Sequence, residues 1–207
     1  MNIIGICGAA GSGKDTVADI LAARYGFAKL GLADPIKKFL YELYDFTTDQ
    51  LWGPSASRNA PDHRYPRDHS TSVYHGERCE CCGANLWEQG IKQCYLTPRF
   101  ALQRLGTEWG RSMHSATWIN YLIRKAPYIV TEGTGVAVSD IRFPNELQAI
   151  RNVGGRIWHR PGGGLTGSAG AHASEAGFGN LKFDAEIPWQ DDVKNLDAVV
   201  ARLMETK

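Results

Sequence analysis

No apolar stretch of this chain approaches the length needed to cross a bilayer, which removes membrane spanning from its expected roles. No block of like charge is present either. The 23 Lys and Arg and 22 Asp and Glu are interspersed, for a net charge of +1, so there is neither a basic nucleic-acid arm nor a membrane-surface patch. No internal repeat is visible, and nothing of the signal-peptide type stands before the first apolar run at Ile3, so the expected compartment is the cytoplasm. Five cysteines without an export signal point to reduced thiols or metal ligands rather than disulfides. What remains, at 207 residues, is enough for one α/β domain with an insertion and a proper core.

The most informative residues are Gly8-Ala-Ala-Gly-Ser-Gly13-Lys14-Asp15-Thr16, directly after the apolar run Ile3-Ile4-Gly5-Ile6-Cys7. A buried strand, a glycine-rich turn and a Lys at the head of a helix are what holding a polyphosphate requires. The glycines let backbone N–H groups curl around phosphate oxygens, and the helix N-terminus adds positive dipole. Lys14 supplies a mobile point charge for β- and γ-phosphates. The P-loop pattern asks for Ser or Thr after the Lys, and this chain has Asp15 there, with Thr16 one residue later. The magnesium role is therefore open between direct and water-mediated contact.

Strand and helix patterns alternate along the chain. Strands are expected at Ile3 to Cys7, Phe27 to Leu32, Arg156 to His159 and Phe183 to Ile187. Tyr128 to Val130 and Val136 to Ser139 form either a hairpin or a single strand after an irregular approach. Helices are expected at Lys14 to Tyr25, Ile36 to Tyr44, Pro98 to Gly110, Ala116 to Lys125, Pro144 to Val153 and Asp191 to Glu205. Asp34 is the expected N-cap of the second helix, with Pro35 at its first position. Residues 47–97 lose all periodicity and hold four of the five cysteines, and the glycine-rich stretch Pro161 to Gly170 has the composition of a moving lid. Such alternation implies a parallel sheet covered on both faces, with ligands at the carboxyl ends of its strands.

Three further constellations follow strand ends. In Val138-Ser139-Asp140-Ile141-Arg142-Phe143-Pro144-Asn145-Glu146, Asp140 sits where P-loop enzymes place a carboxylate that orders metal-bound water or a nucleotide group. Arg142 can clamp a phosphate with its planar fork, and Glu146, four residues on, can equally form a plain helical ion pair with it. Between Arg99 and Arg111, Arg99 and Arg104 do not share a helical face, so at most one need point inward, and Gly106-Thr107 breaks the helix. Trp118 offers an aromatic face for a base, although its periodicity favours core packing. Arg160 and His172-Ala-Ser174-Glu175 flank the glycine-rich stretch, where a cation would stabilise charge on a transferring phosphoryl group.

In order and over nearly the whole chain outside the middle insertion, five motifs resemble those of the deoxynucleoside monophosphate kinases of tailed bacteriophages. They are Gly-Ser-Gly-Lys-Asp-Thr, Leu-Ala-Asp-Pro-Ile-Lys-Lys, Leu-Gln-Arg-Leu-Gly-Thr-Glu, Val-Ser-Asp-Ile-Arg-Phe-Pro-Asn-Glu and His-Ala-Ser-Glu-Ala-Gly. The resemblance implies an α/β fold, a P-loop NTPase three-layer sandwich with a five-stranded mainly parallel sheet and an irregular insertion at 47–97. It implies γ-phosphoryl transfer from ATP to a deoxynucleoside monophosphate in the host cytoplasm. By this resemblance Gly11, Gly13, Lys14, Asp15 and Thr16 hold ATP phosphates and Mg²⁺. Ile36, Lys37, Arg99, Gly106, Thr107, Arg111 and Trp118 line the monophosphate site, which Asp140, Arg142 and Glu146 complete. Lys14, Asp140 and Arg142 are the expected catalytic residues, and Arg160 and His172 to Glu175 belong to a lid at 160–176. The T-even enzyme has basic residues where this chain has Ala10 and Gly11, which puts base preference in doubt. Rival readings are a small P-loop kinase acting on dephospho-coenzyme A or a ribonucleotide, and an ATP-binding switch without phosphoryl transfer.

The insertion carries its own pattern. Cys79-x-x-Cys82-Gly83, with Cys94 beyond and His75 or Cys81 as a fourth candidate, has the ingredients of a structural zinc site. The second Cys-x-x-Cys pair that would make the signal strong is missing, so unliganded thiols are the alternative. Cys7 reads as a core residue. Arg58, His63, Arg64, Arg67 and His69 form a local basic patch, but near-neutral overall charge argues against nucleic acid. The expected partners are small-molecule nucleotides, with a homodimer as a further candidate.

Overall fold

Ile3–Cys7 (β1) is buried at every residue and lies in the middle of a sheet, which is why its sequence is apolar throughout rather than alternating. The computed structural model describes residues 2–68, 93–130, 134–162, 181–189 and 193–206. In chain order the other strands are Ala28–Lys29 (β2), Asp62–Asp68 (β3), Gln93–Leu96 (β4), Val136–Ile141 (β5), Arg156–His159 (β6) and Ala185–Glu186 (β7). Five of these form the main sheet in the order β2-β5-β1-β6-β7, with every pairing parallel. Parallel neighbours need crossovers, and helices supply them on both faces.

Alternate residues of β1 feed two cores. Ile3 and Cys7 pack with Val136, Val138, Ile119, Leu122, Leu147 and Ile150, under Thr117–Lys125 (α7) and Pro144–Asn152 (α8). Ile4 and Ile6 pack on the other face with Val17, Leu21, Trp158, Leu196 and Val200, under Lys14–Tyr25 (α1) and Val193–Glu205 (α9). The result is the expected three-layer α/β sandwich. Each fully buried aliphatic side chain contributes about 1.5–3 kcal/mol by leaving water. Among the described residues no helix is long and apolar enough to cross a membrane.

Several elements differ from the sequence expectation. Strand β2 stops after two residues rather than running to Leu32, because Leu32 and Ala33 donate their amides to the Asp140 carboxylate instead of to a neighbouring strand. Asp34 does not cap the next helix, Asp34–Tyr44 (α2); it lies inside the first turn and accepts the Gly31 N–H at 2.8 Å, closing the approach turn. Ala126–Tyr128 is a 3₁₀ turn with Pro127 inside it, so the region before β5 holds no Tyr128–Val130 strand and no hairpin.

The largest difference is in the insertion, whose described parts are ordered around a third core. Thr48–Trp52 (α3) is held by a capping box in which Thr47 accepts from Gln50 N–H and Gln50 accepts from Thr47 N–H. Ser55–Asn59 (α4) follows, and β3 pairs antiparallel with β4. Phe46, Leu51 and Leu96 bury against Ile36 and Leu40 of α2 and Ala101 of Pro98–Gln103 (α5). Elements of five residues are too short to display a period. After α5 the helix does not break at Gly106-Thr107 but widens into a π-helical segment, Arg104–Trp109, before Gly110–Met113 (α6). The Gly106 carbonyl accepts the Trp118 indole N–H at 2.6 Å, a partner for a group that the irregular turn exposes.

Candidate active site

At the carboxyl ends of β1 and β5 opens a cleft of about 590 Å³, walled by the β1–α1 loop, α2, α4, α5 and the start of α8. The loop owes its shape to backbone that other residues rarely adopt. Gly13 has φ +86°, and a Cβ at Gly8 would lie 2.1 Å from the Arg160 carbonyl. Left-handed residues in such a turn aim successive N–H groups into a concavity that accepts anions. Lys14 places its ammonium 2.5 Å from the Ala9 carbonyl. Burial, and then the Arg142 charge, push its pKa down to about 8.

Arg160, expected on the lid, lies under this loop instead. It is 3% exposed and donates Nε to the Ser12 carbonyl at 2.6 Å and Nη1 to the Pro188 carbonyl at 2.9 Å. Because β6 runs parallel beside β1, the residue after its end emerges beneath the loop rather than over the cleft. Burial lowers the Arg160 pKa.

A β-bulge shapes the opposite wall. Gly5 pairs with Val138 but Cys7 pairs with Ile141, so β5 carries one extra residue at Ser139–Asp140. Bulges beside active sites re-aim side chains. Ser139 donates its hydroxyl to Asp15 Oδ1 at 2.5 Å, and Asp140 accepts the Leu32 and Ala33 N–H groups, one on each oxygen, at 2.9 Å. Asp140 thus holds the β2–α2 turn in register with β5. Burial raises its pKa, against the opposing pull of those two N–H groups and of Lys37 and Arg142.

Glu146 is 3% exposed and fully engaged. Its Oε2 accepts the backbone N–H groups of Arg142 and Phe143 at 2.9 and 3.0 Å, and its Oε1 accepts Arg111 Nη1 at 3.3 Å. It therefore caps its own helix and braces Arg111, and the Arg142 group it takes is the backbone N–H. Burial pushes its pKa up to about 7. Arg111 also donates to Asn145 and lies 3.6 Å above the Phe143 ring.

Cations converge on the far wall. Arg142 and Lys37 face the cleft, and burial lowers the pKa of both. Arg99 is buried, where Nε donates to Asn59 at 3.0 Å and Nη2 to Ser55 at 3.4 Å, while Arg104 of the same helical run points out to solvent. Burial, then the charges of Arg58 and Arg142, bring the Arg99 pKa down to about 10. Arg58 completes the group, and its buried Nε has no hydrogen-bond partner among the described residues. Sequence reasoning missed Arg58 as a cleft residue, since only its place in a basic patch marked it. Trp52, over which Lys37 lies at 5.7 Å, was missed for the same lack of periodicity.

Of the other expected residues, Gly11, Asp15, Ile36, Gly106, Thr107 and Trp118 line the cleft, with Trp118 packing against the core as well. Gly13 forms the turn below it, and Thr16 is half-buried away from the lining. Glu175, His172, Cys79 and Cys82 lie outside the described residues, as does most of the stretch expected to be a lid. Cys94 is a buried residue of β4, and the described residues contain no cluster of three or more His, Cys, Asp or Glu able to hold a metal. Cys7 is the core thiol expected, its pKa pushed up to about 12 by burial.

A glycine cradle facing a wall of cations across one cleft suits a nucleoside triphosphate opposite a second phosphorylated molecule. Comparison with known proteins agrees. Residues 2–81 match the family model described as deoxynucleotide monophosphate kinase. A protein of Acanthamoeba polyphaga mimivirus named for that family is 29% identical over 199 residues, covering 88% of this chain and 84% of the relative. The deoxynucleoside-5'-monophosphate kinase of Escherichia phage T5 is 30% identical over 185 residues, covering 73% of this chain and 72% of the phage protein. With the glycine loop, the cationic wall and these relatives together, the chain belongs to the deoxynucleotide monophosphate kinase family.

Proposed function

We propose that this protein transfers the γ-phosphoryl group of ATP to a deoxynucleoside 5'-monophosphate, releasing ADP and the diphosphate for DNA precursor synthesis. The observation that carries the reading is the group of Lys37, Arg58, Arg99 and Arg142 on the wall facing the P-loop. Burial lowers the pKa of Lys37, Arg99 and Arg142, the nearby Arg58 charge lowers each further, and Asp140, the acid whose charge acts most on Lys37 and Arg142, accepts backbone N–H groups on both oxygens. Such a cluster is stabilised by a dianion, and the phosphate of the acceptor is one.

In this reading Gly11, Gly13 and Lys14 hold the ATP phosphates, and Arg142, Arg58 and Lys37 hold the acceptor phosphate. Arg99 and Arg111 are braced by their neighbours and shape that wall, while Gly106, Thr107 and Trp118 border the nucleoside. An acceptor phosphate is already anionic at neutral pH, so no general base is required. Catalysis consists of in-line positioning and neutralisation of developing charge by Lys14 and the arginines. The oxygen donors at the P-loop fit magnesium, a hard cation that would neutralise charge on the ATP phosphates. Asp140 acts in this scheme by fixing the turn that carries α2 and Lys37. Cys79, Cys82 and Cys94 are candidate zinc ligands that metal analysis of chelator-free protein tests.

The deciding experiment is ADP release with ATP, Mg²⁺ and each deoxynucleoside monophosphate in turn, beside ribonucleotide and dephospho-coenzyme A controls. Acceptor-dependent ADP with one or more deoxynucleotides supports the reading. ADP release that depends only on a control acceptor, or on none, overturns it.

A further inference from the structure

P-loop enzymes commonly hold magnesium with a hydroxyl on the loop, directly after the Lys, and a carboxylate at the end of a neighbouring strand. Here both residue types are present at the two places, but exchanged. The residue after Lys14 is the acid Asp15, and the strand residue that reaches it is the hydroxyl Ser139, 2.5 Å away. The acid next along the strand, Asp140, has each oxygen on a backbone N–H of the β2–α2 turn.

The remaining acids of the cleft wall are also committed. Asp19 is paired with Lys29, Asp34 accepts the Gly31 N–H, and Glu146 accepts two backbone N–H groups and Arg111. Among the described residues Asp15 has the Ser139 hydroxyl as its hydrogen-bond partner, where the other acids hold backbone N–H groups or cations, and it stands beside Lys14 on the cleft wall. The hydroxyl one residue further along the loop, Thr16, lies off the lining.

We propose that Asp15 is the carboxylate that holds the nucleotide's magnesium, and that Ser139 is the positioning residue that aims it, the acid and hydroxyl having traded places between loop and strand. The bulge at Ser139–Asp140 makes the trade feasible, since the extra residue lets adjacent side chains serve separate partners: Ser139 the P-loop, Asp140 the β2–α2 turn. This inference rests on the nucleotide-kinase reading.

The test is calorimetric affinity of the full chain for ADP with and without Mg²⁺, which needs no turnover. The wild type binds ADP more tightly with the metal. Asp15→Asn removes about 10- to 100-fold of that tightening while metal-free ADP affinity stays at least as strong, and Ser139→Ala removes a smaller part, about tenfold or less. Ser139→Thr, which retains the hydroxyl, restores the wild-type response, and the exchanged pair Asp15→Ser with Ser139→Asp recovers metal dependence that Asp15→Ser alone lacks. An unchanged Mg²⁺ response in Asp15→Asn overturns the assignment while leaving the kinase reading intact. A wild type that binds no ADP under either condition overturns the kinase reading and this inference with it. Should Asp15→Asn fail to fold, the Ala and Thr variants at Ser139 still decide, because an equal Mg²⁺ response in both overturns the positioning role.

Discussion

The two walls of the cleft are built by opposite means. The P-loop wall is backbone: a glycine turn between a fully buried strand and a twelve-residue helix, held from beneath by Arg160. The facing wall, which we propose receives the acceptor, is side chain: Lys37, Arg58, Arg99 and Arg142 arrive from α2, α4, α5 and the turn after β5, converging from four separate segments. A triphosphate of constant shape suits a rigid backbone cradle, whereas an acceptor with a variable base suits side chains on short, separately adjustable elements. The first wall is therefore written in one contiguous stretch of sequence and the second is scattered.

The sharpest break of this comparison is Lys14→Met. Turnover should fall by roughly 10²- to 10³-fold or more, since the main cation for the transferring group is gone. The ligand-free protein should nevertheless melt higher. A Lys whose pKa is depressed to about 8 costs stability while charged in the fold, and the wild type recovers that cost as pH rises from about 8 towards the ordinary lysine value. Thermal melting at neutral pH checks this, and a lower melting temperature contradicts the burial argument.

On the acceptor wall, Arg142→Ala and Arg58→Ala should each raise KM for the monophosphate about 10- to 100-fold, the worth of a charge-assisted contact, with KM for ATP little changed. An equal change in both KM values would mean that the two walls are not separable. Arg160→Met breaks the other wall from behind. Leaving the buried Ser12 carbonyl unpaired should cost about 1–3 kcal/mol and lower Tm by several degrees. Its kinetic effect should be confined to ATP.

The smallest effect expected is at Glu146. Burial raises its folded pKa to about 7, above its unfolded value, so the folded state binds the extra proton. Its contribution to stability is complete below the unfolded pKa and is lost as pH rises through about 7. Glu146→Gln should flatten stability over that window by denaturant titration at several pH values. Persistence of the wild-type slope would assign it to another group.

Legibility in the sequence followed the same division. The parallel α/β sheet, the P-loop and the place of Asp140, Arg142 and Glu146 at and beyond a strand's carboxyl end were readable, because long periodic elements and glycine spacing are local signals. The helices α3 and α4 were not, since five residues show no period, and with them Arg58 and Trp52 were hidden from the cleft. Arg160 was misplaced because the glycines after it suggest a loop, while its actual position depends on which strand lies beside β1. Asp140 and Glu146 were read as ligand groups, and tertiary structure turned both towards backbone N–H groups.

By itself, then, the sequence determined that a phosphate-binding turn joins a buried strand to a helix, that the sheet is parallel, and which residue types stand at each strand end. Only the tertiary structure decided which of those residues face the cleft and which brace it. A carboxylate or guanidinium carries the same charge in either role. The difference lies in whether a buried backbone N–H or carbonyl, brought near by a distant segment, claims its hydrogen bonds first.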